Sequence, residues 1–301
     1  MRRFYSKLLL FGEYTIIKGS SALAIPYERY SGSWTFDGKN SFSNEILKKW
    51  CEFLSHSDNE IGVDIDAFRQ DISNGLQFNS NIPQGYGVGS SGALVAALLH
   101  EYVTKNKGIY NEKKDVFFLK NAFKILEVFF HGKGSGTDPL VCYLNQPILF
   151  EASGKIQKIN SFNLQSNDKN KTCFLINTLI PRKTEPLVKV FLEKCKNESF
   201  NLACKNELAI HNNNAIDALI QNNNIDFFKA IHLISALQYE QFQPMIPNKI
   251  KSIWKNGLNS NHYQLKLCGA GGGGFVLGFS SNWQKTKTEL SDFDLQVVFN
   301  L

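Results

Sequence analysis

The stretch NIPQGYGVGSSGALVAALL, Asn81 to Leu99, constrains the fold more than any other part of the chain. A proline is followed by glycines alternating with larger residues, then two serines, then an apolar run that reads as a buried helix. A helix N-terminus exposes unpaired N–H groups and a partial positive charge. Glycines let the preceding loop bring further N–H groups close to a ligand, because no Cβ stands in the way. Together these features make an anion site, most often for phosphate. The same residues also describe a sharp strand-to-helix turn with a serine cap. The stretch taken alone leaves both readings open.

The chain around it has 301 residues, 43% of them hydrophobic, enough core for one large domain or two of ordinary size. Charged residues make up 20%, which excludes a disordered chain or a coiled coil. The net charge of +6 is mild and the lysines are dispersed, which favours an anionic small molecule over nucleic acid as partner. The six cysteines, Cys51, Cys142, Cys173, Cys195, Cys204 and Cys268, form no C-x-x-C pair. They read as free thiols in a reducing compartment rather than a zinc site or a disulfide scaffold. The apolar run Leu8 to Phe11 is too short for a signal peptide, and no run is long enough to span a membrane. A cytoplasmic protein with no membrane partner is the expectation.

Patterning predicts short strands at Lys7 to Tyr14, Thr15 to Ala24 and Trp34 to Phe36, and a helix at Ser43 to Ser55. Ile61 to Phe78 is ambiguous. Helices are expected at Ser90 to Thr104 and at Lys113 to Phe130, the latter ended by Gly132, with a loop from Gly132 to Pro139. Leu140 to Leu149 and Lys155 to Ile159 read as strands around a turn. The polar, aperiodic segment Asn163 to Lys171 is the best place for a domain boundary, giving domains 1–165 and 166–301. Beyond it come a strand at Thr172 to Asn177 and helices at Leu187 to Lys196, Phe200 to Leu219, Phe227 to Phe242 and Lys249 to Leu258. Strands follow at Tyr263 to Leu267, Phe275 to Phe279 and Leu295 to Phe299. The asparagine triplets 212–214 and 222–224 read as solvated surface. Irregular alternation of strands and helices points to α+β rather than a doubly wound sheet.

G-x-G-x-x-G occurs at Gly87, Gly89 and Gly92 and again at Gly269, Gly271 and Gly274. Both are weak as dinucleotide fingerprints. The first follows the polar Asn79 to Tyr86, with Pro83 inside it, where an apolar strand is needed. No G-x-x-x-x-G-K-[ST] is present. Three separated motifs instead resemble the GHMP kinases, and within them the mevalonate-phosphorylating branch. KLLLFGEYTIIKGSSALAIP (Lys7 to Pro26) resembles the family's N-terminal motif, PQGYGVGSSGA (Pro83 to Ala93) its phosphate loop, and KLCGAGGGGFVLGF (Lys266 to Phe279) its C-terminal glycine motif. A fourth stretch, EVFFHGKGSGTD (Glu127 to Asp138), is similar to the branch's own pattern. The motifs span most of the chain in family order.

The resemblance implies a two-domain α+β fold with the active site in the cleft. The N-terminal domain would be ribosomal-protein-like, with a left-handed β-α-β, and the C-terminal domain ferredoxin-like. It implies ATP and Mg2+ as cofactors. Pro83, Gly85, Gly87, Gly89, Ser90, Ser91, Gly271 and Gly272 would contact the nucleotide, and Ser91 and Glu127 would hold the metal. Carboxylate and hydroxyl oxygens suit a hard cation. The plain alternatives are a helix cap at Ser91 and, for Glu127, a solvated stripe shared with Lys120, Lys124 and His131, with a Lys124–Glu127 pair. Asp138 takes the family's catalytic base, with Lys7 beside it holding the carboxylate ionised and stabilising a developing alkoxide. A turn aspartate and an exposed strand lysine are the ordinary readings. Glu13 and Tyr14 sit where the family has Glu-His near the acceptor; the tyrosine is a departure.

The implied activity is phosphorylation of the primary hydroxyl of mevalonate to 5-phosphomevalonate, with mevalonate and ATP as partners; a homodimer is compatible. Phosphomevalonate as acceptor would call for extra basic residues, and Lys18 and Arg29 are the only nearby candidates. A diphosphomevalonate decarboxylase would carry an alanine- and serine-rich phosphate loop, and a galactokinase a sugar signature that KLLLFGEY lacks. A catalytically silent ATP or isoprenoid sensor is the non-enzyme alternative. It would need none of Lys7, Ser91, Glu127 and Asp138.

Overall fold

The computed structural model describes residues 1–36, 41–57, 60–104, 115–159, 168–181 and 184–301. In chain order the elements are β1 (Phe4–Phe11), β2 (Ala22–Thr35), α1 (Ser41–His56), α2 (Ile65–Ser73), β3 (Gln77–Ser80), α3 (Ser90–Leu99), α4 (Val116–His131), α5 (Thr137–Leu144), β4 (Ile148–Phe150) and β5 (Ile156–Lys158). Then come β6 (Thr172–Asn177), α6 (Thr184–Lys194), α7 (Glu198–Leu202), α8 (Ala209–Ile220), α9 (Asn224–Gln241), α10 (Asn248–Ser260), β7 (Tyr263–Leu267), β8 (Phe275–Ser280), α11 (Trp283–Glu289) and β9 (Leu295–Asn300). The chain divides into a first unit of residues 1–7, 26–83 and 88–146, and a second of 8–25, 84–87 and 147–301. The boundary placed from sequence after residue 165 lies within 160–167, outside the described residues.

In the first unit the far end of β2 pairs antiparallel with β3, from Gly32 opposite Ser80 to Thr35 opposite Gln77. Helix α3 is the core element. Its residues 92, 93 and 95–99 are all buried, as a helix apolar on every side must be. Trp50 of α1 is fully buried, with its ring against Phe68, Phe129 and Phe130. Asp115 caps α4 by accepting from the N–H groups of Phe117 and Phe118.

In the second unit the antiparallel sheet has strand order β7-β8-β6-β9. Helices α6 to α10 separate β6 from β7, and α11 separates β8 from β9. That order and connection make the split βαβ arrangement of a ferredoxin-like sheet. The central strands β6 and β8 carry continuous apolar runs and are buried almost throughout. Gly278 of β8 lies opposite Phe174, and a Cβ there would fall 2.3 Å from that ring.

Several elements differ from expectation. Leu140 to Leu149 is not one strand: Thr137 to Leu144 is helical, and β4 has only three residues. A buried apolar run has no period to tell helix from strand, and the left-handed Gly136 and Asn145 delimit the helix. Thr15 to Ala24 is not a strand from its start. Residues Thr15–Lys18 form a 3-10 turn closed by the left-handed Gly19. Trp34 lies near the end of the 14-residue β2, which closes at Thr35 and whose polar middle hid its length. The ambiguous segment holds both α2 and β3. The helix from Ser90 continues over His100–Thr104 in π-helical form, and α11 falls between two expected strands where patterning predicts no element. Asn212 is not solvated: it is buried, accepts from the Gly12 N–H at 2.8 Å and donates to the Ser21 carbonyl at 2.8 Å.

Candidate active site

In the first unit, β1 carries Lys7 into the interior, and the Lys7 N–H donates to the Val88 carbonyl at 2.9 Å. The Lys7 ammonium lies 2.8 Å from Asp138 Oδ1. The lysine side chain is 6% exposed and the aspartate 40%, so the pair opens to solvent through the carboxylate. Asp138 sits in the first turn of α5, where the helix's partial positive charge favours an anion.

Two glycines bring these groups together. A Cβ at Gly92 would lie 3.1 Å from Asp138 Cβ and from Pro139 N, so the first turns of α3 and α5 touch. Gly89 caps α3 at φ 83°, and a Cβ there would lie 2.9 Å from Lys7 Cγ. The glycine ahead of α3 thus makes room for the lysine that pairs with Asp138. Ser90 and Ser91 open α3 half-buried.

Glu127 is 4% exposed, not part of a solvated stripe. Its Oε2 accepts from the N–H groups of Ser135 at 3.1 Å and Gly136 at 2.7 Å. Burial, and then the nearby Asp138, push its carboxyl up to about 7, while the two N–H donors and Lys7 pull the other way. One turn later on the same helix, His131 Nε2 lies 3.0 Å from Ser91 Oγ. Among the described residues no cluster of three or more His, Cys, Asp or Glu could hold a metal alone. A carboxylate with a serine hydroxyl near its helix supplies the oxygen ligands that suit a magnesium ion taking its remaining ligands from phosphate and water, and such an ion's charge would offset the cost of ionising Glu127.

In the second unit, Gly85 and Gly87 both have positive φ. Tyr86 between them packs edge-on to Phe275, with ring centroids 5.1 Å apart. The glycine turn from Gly269 to Gly274 lies against this loop, since a Cβ at Gly274 would come within 2.7 Å of Tyr86 Cα. The turn is closely packed rather than a mobile hinge. The Gly272 N–H donates to the Met245 carbonyl at 2.5 Å, and the Gly274 N–H to the Ile180 carbonyl at 2.6 Å. A Cβ at Gly271 would meet the Met245 carbonyl at 2.5 Å.

Glu13 and Tyr14 are both buried. Glu13 Oε1 lies 2.5 Å from the Lys266 ammonium and accepts from Gln238 Nε2 at 2.8 Å. The Tyr14 hydroxyl donates to the Ala270 carbonyl at 2.7 Å, and its ring packs on Phe191 and Phe242. Pro83, the remaining residue assigned from sequence, is half-buried at the end of the first unit's middle segment.

Lys266, Gln238 and His131 hold site residues but were not singled out from sequence. Lys266 alternates with Leu265 and Leu267, which reads as the solvated face of a strand, yet it is wholly buried. Gln238 carries no motif. His131 is visible in the sequence only as part of a polar stripe.

Residues 46–146 match the family described as the GHMP kinases N terminal domain. No curated protein sequence matches the chain. The mevalonate kinase of Methanococcus jannaschii superposes with a TM-score of 0.65 at 21% identity, covering 100% of this chain and 98% of that one. The Streptococcus pneumoniae phosphomevalonate kinase, in complex with phosphomevalonate and AMPPNP, gives a TM-score of 0.65 at 16% identity, covering 100% and 98%. The Lactococcus lactis galactokinase complexed with galactose gives 0.61 at 13%, covering 99% and 93%. Residues 46–146 therefore resemble the N-terminal domain of the GHMP kinases, and the chain has the GHMP kinase fold along its length.

Proposed function

We propose that the protein is a small-molecule kinase that transfers the γ-phosphoryl group of ATP to the primary hydroxyl of mevalonate. The observation that carries this reading is the Lys7–Asp138 pair, 2.8 Å apart at the touching first turns of α3 and α5. Asp138 accepts the proton of the acceptor hydroxyl as its oxygen bonds to phosphorus and the bond to the ADP oxygen breaks. Lys7 orients that carboxylate and offsets the charge developing on the attacking oxygen. The N–H groups at the start of α3, opened by Gly89, face the phosphate chain. Glu127 and Ser91 would hold magnesium, which supplies charge neutralisation on the phosphate oxygens. Proton abstraction matters less here than alignment, because the transition state of phosphoryl transfer is loose.

Phosphomevalonate is the second reading, favoured by the equal TM-score of the phosphomevalonate kinase. Against it, Lys18 is held by Asn201 Oδ1 at 2.7 Å and is not poised for a second phosphate. The test is incubation with ATP and magnesium and, in turn, mevalonate, phosphomevalonate, galactose and homoserine, scored by product mass. Phosphorylated mevalonate is expected. Turnover of another acceptor alone would replace mevalonate, and turnover of none would favour a silent binding protein.

A further inference from the structure

A run of four consecutive glycines, 271–274, has no side chains with which to hold its own shape. All four adopt positive φ, and ordering them costs more backbone entropy than ordering other residues. The shape must therefore be imposed from outside. At the exit the Met245 and Ile180 carbonyls do this by accepting the Gly272 and Gly274 N–H groups. At the entrance, residues 267–270 are held at three backbone points. Gln238 Oε1 accepts from the Leu267 N–H at 2.8 Å, Lys266 Nζ donates to the Leu267 carbonyl at 3.0 Å, and the Tyr14 hydroxyl holds the Ala270 carbonyl.

The groups that make these bonds are themselves locked to one another. Lys266 Nζ also donates to the Leu10 carbonyl at 2.8 Å and pairs with Glu13, and Gln238 donates to the same Glu13 oxygen. Lys266 is 0% exposed and Gln238 1%. The second Glu13 oxygen is buried away from solvent and has no hydrogen-bond partner, so the carboxylate offers nothing to a ligand at the surface.

We propose that Glu13 and Tyr14 are positioning residues for the glycine turn, linked to it through Lys266 and Gln238, rather than residues that touch the acceptor. The inference rests on the reading that the glycine turn serves the nucleotide. Tyr14→Phe tests it, because the ring keeps its packing on Phe191 and Phe242 while the bond to Ala270 is lost. Loss of one such bond corresponds to a ~2- to 13-fold change in an equilibrium. The expected results are a several-fold weaker ATP Kd by calorimetry, faster amide exchange across residues 267–274, and a mevalonate KM within about twofold of wild type. Gln238→Leu should move the same quantities in the same direction. A raised mevalonate KM with unchanged ATP affinity would overturn the proposal in favour of direct acceptor contact. A lowered melting temperature with both constants and the exchange pattern unchanged would reduce the network to a structural one. If wild type binds ATP yet phosphorylates no acceptor, the kinase reading fails, and the ATP and exchange measurements still decide this proposal.

Discussion

Replacing Glu127 by Gln should make the metal-free protein more stable at alkaline pH and less responsive to magnesium nucleotide. In the fold Glu127 is 4% exposed, and its carboxyl is raised from 4.5 to about 7. Folding therefore favours its protonated form. The stabilisation is complete below pH 4.5, declines as the unfolded chain loses this proton first, and is gone above about pH 7. A shift from 4.5 to about 7 corresponds to about 3 kcal/mol over that window. Gln cannot ionise, and its amide oxygen can still accept from the N–H groups of Ser135 and Gly136. Thermal melts of both proteins at pH 5 and pH 8, with and without MgATP, provide the assay. The melting temperatures should be close at pH 5 without ligand. At pH 8 the variant should be the more stable by roughly 1–3 kcal/mol, within the range that one buried ionised group imposes. MgATP should close the gap by stabilising wild type far more than the variant. Parallel pH dependences in the two proteins would refute the assignment of a buried, functionally strained carboxylate.

Gly89→Ala places a methyl 2.9 Å from Lys7 Cγ at φ 83°, so kcat should fall at least tenfold, about 1.4 kcal/mol in barrier, in a steady-state assay with the fold retained by circular dichroism. Lys266→Met leaves the Glu13 carboxylate buried without its cation and should cost about 3–5 kcal/mol in urea unfolding, with much of the loss recovered by adding Glu13→Gln. Lys7→Met should leave Asp138 without its partner and lower kcat by about 10²-fold or more, while ATP affinity by calorimetry changes little.

What the sequence revealed followed from how local the signal was. The loop ahead of α3 was legible because glycine spacing, paired serines and an apolar run are contiguous in the chain. Strands β6 and β8 were legible as bounded apolar runs, β9 as a run with β-branched residues, and β7 by the alternation of YQLKL. Helix α5 was not, because TDPLVCYL is apolar without a period, and its limits depend on left-handed backbone at Gly136 and Asn145. Asp138 consequently looked like a loop residue and proves to lie in a helix's first turn. Glu127 looked exposed because its neighbours on α4 are polar. Its burial comes from the 134–136 loop folding across the helix, where a Cβ at Gly134 would meet the Lys124 carbonyl at 2.2 Å. Lys266 and Gln238 are distant in sequence from Glu13, and no local pattern reports a bond across more than 200 residues.

The decisive measurement is the rate of product formation from mevalonate at saturating MgATP, by wild type and by Asp138→Asn. The asparagine keeps the size of the aspartate while removing its charge and its capacity to take a proton. If Asp138 beside Lys7 is the reacting centre, wild type forms phosphomevalonate and the variant is slower by about 10²-fold or more, with ATP binding and melting behaviour nearly unchanged. Near-wild-type turnover by Asp138→Asn would place the chemistry elsewhere in the molecule and contradict the account.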